Sequence, residues 1–66
     1  MPIVRVSLFE GRSIEKKRAL VEGITEVIAR VCEVSPDGVH VLLDEMSRDD
    51  WGRGGIVASD RTRVGA

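Results

Sequence analysis

The feature that constrains this chain most is one amphipathic helix between two short strands. From about Ile14 to Cys32, the apolar residues Leu20, Ile24, Val27, Ile28 and Val31 recur at spacings of three and four. Arg18, Glu22, Glu26 and Arg30 lie opposite them, so the segment predicts a helix with a single apolar stripe. Ser13 is a natural N-cap, and Glu15 falls in the first turn, where the helix dipole favours negative charge. Gly23 either admits a close approach by the sheet or a neighbour, or is simply tolerated inside the helix. Before the helix, Val4, Val6 and Leu8 alternate with Arg5 and Ser7, which predicts a strand over Pro2 to Leu8. After it, Val34 to Gly38 turns the chain. Val39, Val41 and Leu43 then alternate with His40, Leu42 and Asp44, predicting a second strand over Val39 to Met46. Strand, helix and strand in this order make a βαβ unit with two parallel strands and a right-handed crossover.

Such a unit does not close on itself. The chain has 66 residues, so we expect a single domain, residues 1–66. A lone core of this size stabilises by only a few kcal/mol. Cys32 is the only cysteine and His40 the only histidine, so neither a disulfide within the chain nor a zinc site is expected to reinforce it. Yet 42% of the residues are apolar, more than so small a domain can readily hide. A two-stranded sheet under one helix also leaves a face and its edges uncovered. A homo-oligomer is the expected solution.

Charge narrows the partners. Ten basic and eleven acidic residues give a net charge of −1, with Phe9 and Trp51 the only aromatic side chains. No basic stripe or stacking platform for nucleic acid is present. No run approaches the roughly 20 apolar residues that a membrane span needs. The start of the chain lacks the charged and apolar regions of a signal peptide. A single free thiol fits a reducing compartment, so a cytoplasmic protein is expected.

The start of the chain carries the most distinctive chemistry. Initiator methionine is normally removed before a small residue, and Met1 is followed by Pro2. Removal would leave a secondary amine at the head of a strand, able to carry or release a proton. Arg12 lies at the head of the helix, His40 on the strand expected beside Pro2, and Trp51 in the Gly-rich loop Ser47 to Gly55. An amine, a fixed cation and an apolar wall are what proton transfer on a small carboxylate requires, because the wall excludes water and favours the neutral amine. Ile56 and Val57 are expected as a very short strand. The core should span about residues 2–58, with 59–66 a tail, either an interaction arm or a frayed end.

Several stretches together resemble the 4-oxalocrotonate tautomerase family of the tautomerase superfamily. They are Met1-Pro2-Ile3-Val4, Leu8-Phe9-Glu10-Gly11-Arg12-Ser13, the helix residues Glu15, Lys17, Val21, Ile24 and Thr25, then Asp44-Glu45-Met46 and Trp51-Gly52-Arg53-Gly54-Gly55. The resemblance spans about residues 2–58. It implies an α/β (α+β) fold, a βαβ subunit with a short C-terminal hairpin, assembled into dimers and a hexamer. It implies a cofactor-independent isomerase, of a kind met in aromatic catabolism, that interconverts enol and keto forms of a 2-oxo acid such as 2-hydroxymuconate. Pro2 would be the general acid/base. Arg12 would bind a substrate carboxylate across a subunit boundary, and Trp51 would line the pocket where well-known members have Phe.

One position departs from the family. Members that act on 4-oxalocrotonate itself carry a second arginine on the second strand, where this chain has His40. Imidazole does not reproduce the bidentate arginine fork. By analogy with removing an oxyanion donor, the loss is worth on the order of 10²-fold in rate. A substrate with one carboxylate is therefore as reasonable as a dicarboxylate. Arg5 and Arg53 are the candidates to compensate, and Arg53 is the better placed because Gly52 and Gly54 make its backbone adaptable. Each side chain also has a plainer reading: His40 a half-exposed strand residue, Trp51 an interface residue, Arg12 a solvated charge. Two other functions are compatible. One is a hydratase or dehalogenase of unsaturated acids, using the same proline with Asp49 or Asp50 to activate water. The other is an oligomeric binding protein without catalysis.

Overall fold

The alternating residues at the start of the chain form β1 (Ile3–Phe9). The periodic segment forms α1 (Ile14–Cys32), and the second alternating run forms β2 (His40–Met46). The computed structural model describes residues 1–63. β1 and β2 pair in parallel, in register from Ile3 opposite His40 to Phe9 opposite Met46. Two further hydrogen bonds extend the ladder beyond its ends. The His40 N–H donates to the Pro2 carbonyl at 2.9 Å, and the Glu10 N–H donates to the Met46 carbonyl at 2.9 Å.

The ends of α1 follow from local chemistry. The Ser13 hydroxyl accepts from the Lys16 N–H at 3.2 Å, satisfying one of the orphan donors of the first turn. At the other end Glu33 adopts a left-handed conformation, φ 55°, and its N–H returns to the Ala29 carbonyl. That geometry usually belongs to glycine, and here a side chain bears it. A 3-10 turn at Pro36–Gly38, capped by Ser35, then leads into β2.

α1 lies over the face made by Val4, Val6, Leu8, Val41 and Leu43, which are half-buried. Lys17 reaches down from the helix to Glu45 at 2.6 Å. The apolar stripe is wider than the two strands beneath it. Leu20, Ile24 and Ile28 are half-buried, but Val27 is exposed and Val31 is 65% exposed. Gly23 faces open space, with nothing within 4 Å of where a Cβ would sit. On the opposite side of the sheet Ile3 is 61% exposed and Leu42 is exposed, beside the Arg5–Asp44 ion pair at 3.5 Å.

The C-terminal part folds back as a hairpin. β3 (Gly52–Arg53) pairs antiparallel with β4 (Ile56–Val57). Gly54 and Gly55 between them have φ of 62° and 81°, the two positive values that a type I′ turn needs. The stretch expected to begin a tail is instead helical, as α2 (Ala58–Arg63). The reason lies in packing: Ala58 donates its N–H to the Trp51 carbonyl at 2.7 Å and is the one buried apolar residue among those described. The rest of the expected tail, 64–66, lies outside the described residues.

The subunit exposes 5068 Å² of surface. A folded monomer of 7.2 kDa would expose about 4,100 Å². Its radius of gyration is 15.3 Å, where a compact domain of this length would have about 11 Å. The apolar side chains found by period are in place, but this chain alone does not cover them.

The two ends of α1 give opposite expectations. Ser13→Ala should cost about 1 kcal/mol of stability by removing the cap. Glu33→Gly should be neutral or gain up to about 1 kcal/mol, because glycine adopts the left-handed conformation without strain. Urea unfolding at matched protein concentration measures both, and the reverse order would contradict this account of the helix ends.

Candidate active site

Pro2 leads into β1 and is half-buried. Its carbonyl is held by His40, while Met1 projects away and is 87% exposed. Removal of Met1 would therefore cost the fold little packing and would leave a secondary amine on a fixed strand end. The register brings His40 alongside Ile3, on the uncovered face of the sheet. These two expected site residues, Pro2 and His40, are brought together as the strand pattern predicts.

Arg12 and Trp51 are found at the other end. Phe9 closes β1, and the Trp51 ring packs on it with centroids 4.5 Å apart and planes inclined at 50°. Arg12 donates from Nη1 to the Phe9 carbonyl at 2.9 Å. From Pro2 to Phe9 the strand advances roughly 23 Å, at about 3.3 Å per residue. One subunit thus carries two separate groups of candidate residues: Pro2 with His40 at one end of the sheet, and Arg12 with Trp51 at the other. A small acid does not touch both ends of the same subunit.

The second end holds more than the sequence pattern suggested. A cavity of about 250 Å³ is walled by Phe9, Trp51 and Ile56 and carries Arg48, Arg53 and Arg61. The Arg48 guanidinium lies 4.2 Å above the Phe9 ring, a cation–π contact. Arg61 donates from Nη2 to the Arg53 carbonyl at 3.0 Å. The adaptable backbone of Arg53 makes it legible in the sequence. Arg48 and Arg61 are not, because they sit on either side of the hairpin and come to one cavity only once it folds. Phe9, one residue past the strand expected over Pro2 to Leu8, is its last residue and the support for Trp51. Arg5, the other candidate to compensate for His40, is engaged with Asp44. Among the described residues, no group of three His, Cys, Asp or Glu side chains converges as a metal site would require. None of their helices is long and apolar enough to cross a membrane.

This chain and its fold match known proteins. The tautomerase enzyme family matches residues 2–61, and the chain belongs to that family. A probable tautomerase of Halalkalibacterium halodurans is 49% identical over 61 residues, covering 92% of this chain and 100% of that protein. A structure from a study of the 4-oxalocrotonate tautomerase isozymes of Methylibium petroleiphilum superposes with a TM-score of 0.91 at 36% identity, covering 96% of this chain and 98% of that one. A chain of a heterohexameric 4-oxalocrotonate tautomerase from Chloroflexus aurantiacus J-10-fl superposes with a TM-score of 0.85 at 28% identity, covering 91% and 97%. The βαβ unit with its C-terminal hairpin is thus the fold of 4-oxalocrotonate tautomerases.

The contact between Trp51 and Phe9 anchors the hairpin to the sheet. Trp51→Ala should lower stability by on the order of 1–2 kcal/mol, and Trp51→Phe by less. Amide exchange at Ala58, whose N–H is held by the Trp51 carbonyl, should quicken in Trp51→Ala. Unchanged exchange there would show that the rings do not hold the hairpin.

Proposed function

We propose that this chain is a cofactor-independent tautomerase of a small 2-oxo acid, using Pro2 as general acid and base after loss of Met1. The observation that carries this reading is the setting of Pro2: half-buried at a strand end, pinned through its carbonyl by His40, with Met1 exposed beyond it. On a dienol such as 2-hydroxymuconate, the neutral amine takes the hydroxyl proton. The oxygen electron pair closes to a carbonyl, and the ammonium returns the proton to a carbon of the conjugated chain. Arg12 holds a substrate carboxylate. Trp51 excludes water and so favours the neutral amine. His40 donates a hydrogen bond to the carbonyl oxygen as charge develops there.

This reading requires more than one copy. Arg12 and Trp51 lie a strand length from Pro2 in the same subunit, so the site combines Pro2 of one copy with residues of others. The exposed Ile3 and Leu42 face and the exposed Val27 and Val31 supply surface for such contacts, and the open edges of the two-stranded sheet supply unpaired backbone. We therefore take the protein to be a homo-oligomer built from dimers, a hexamer in its full form, acting in the cytoplasm. The hydratase alternative has less support, because the Asp50 carboxylate already accepts from the Ser47 hydroxyl at 3.2 Å.

Intact mass and one variant test this reading together. The mature protein should lack Met1, and Pro2→Ala should lower kcat/KM for ketonisation of 2-hydroxymuconate by about 10²-fold or more. A mass that retains Met1, or turnover that survives the substitution undiminished, removes Pro2 from the chemistry.

A further inference from the structure

We infer that Arg53 and Arg61, set against Trp51, form a carboxylate pocket that takes the second carboxylate of an unsaturated dicarboxylic acid. The inference rests on the tautomerase reading for the class of substrate, and on the cavity for the site itself. Three arginines, Arg48, Arg53 and Arg61, line a space of about 250 Å³ whose other walls include Phe9, Trp51 and Ile56. That is below the roughly 300–1,000 Å³ of pockets for drug-sized ligands, and it suits a short acid with a flat apolar body.

The arginines are poised for an anion. Among the described residues, none of Arg48, Arg53 and Arg61 is paired with a carboxylate. Asp49 and Asp50 adjoin Arg48 in sequence, but neither lines the cavity. Arg61 is oriented by its bond to the Arg53 carbonyl, yet its Nε is buried without an acceptor. A buried charged donor left unmatched is costly, and negative charge placed beside this guanidinium would offset that cost. Gly54 is required by its turn, whose φ is 62°, and a Cβ there would meet Arg61 Nη2 only at ordinary contact distance, 3.4 Å. Arg48, laid over Phe9, adds positive charge at the rim.

The pocket answers the departure at His40. The planar fork missing from the second strand is supplied from the hairpin, beside the Trp51 wall. Arg12 does not line this cavity, so the two substrate carboxylates have separate holders.

Trp51 is the only tryptophan, so its fluorescence reports occupancy directly. The intact protein is titrated with trans,trans-muconate and with sorbate, the matching unsaturated monocarboxylate. Muconate should bind at least about tenfold more tightly, and Arg53→Gln should abolish that preference. The Arg53 side chain makes no hydrogen bond or ion pair within the described fold, so the variant should fold, and circular dichroism checks it. Arg53→Glu is the second variant and should bind muconate more weakly than sorbate. Equal affinities in the wild type, or a preference that survives in either folded variant, overturns the pocket. No proton moves in this assay. If the Pro2 reading fails, the binding pattern still stands. Binding indifferent to Arg53 alongside intact turnover removes the pocket and leaves Pro2 in place.

Discussion

One helix covers one face of a two-stranded parallel sheet, and the rest of the subunit is arranged around what that leaves open. The covered face is ordinary packing: alternating valines and leucines beneath a stripe of Leu20, Ile24 and Ile28. The other face carries Ile3, Leu42 and His40 without cover. Parallel pairing also separates the ends of the sheet by chemistry. Both strands start at the end with Pro2 and His40, and both finish at the end with Phe9 and Met46. The loops that follow the strands deliver Arg12 and Trp51 to that second end. Uncovered surface and divided chemistry therefore share one origin, the βαβ connection.

Much of this was legible in the sequence, because the signals were periodic and local. The bounds of α1 follow from Ser13 and from the spacing of its apolar residues, and the two faces of β2 follow from strict alternation. The placement of His40 beside Pro2 follows from parallel register. What periodicity could not supply was the width of the covered stripe. Val27 and Val31 satisfy the helical pattern but overhang a sheet only two strands wide. Nor was α2 visible: Ala58–Arg63 is short, and it is anchored by the burial of Ala58 and by its bond to Trp51, both of which require the folded hairpin. The cluster of Arg48, Arg53 and Arg61 was hidden for the same reason. Its members are adjacent in space through a two-glycine turn and not through any spacing along the chain.

Electrostatics sets the character of the candidate site. Arginine is the side chain best matched to a carboxylate, through a rigid bidentate fork. Here the second strand offers His40, and the arginines gather instead on the hairpin around Trp51. In the proposed reading, catalysis needs only that charge reach the substrate from some fixed element. A hairpin tied to the sheet by the Phe9–Trp51 contact is such an element. In the same proposed reading Pro2 depends on that contact in a neighbouring copy, since the wall that would favour its neutral form is the ring that Phe9 supports.

The central claim is that each site is shared, joining Pro2 of one copy to Arg12 of another. It is tested most directly by mixing two impaired variants, Pro2→Ala and Arg12→Ala, unfolded together and refolded as one population. If the residues come from different subunits, some mixed sites draw an intact Pro2 and an intact Arg12. Ketonisation of 2-hydroxymuconate should then recover to about a quarter of the wild-type rate under random assembly. A mixture no more active than the average of its two refolded components would contradict a shared site.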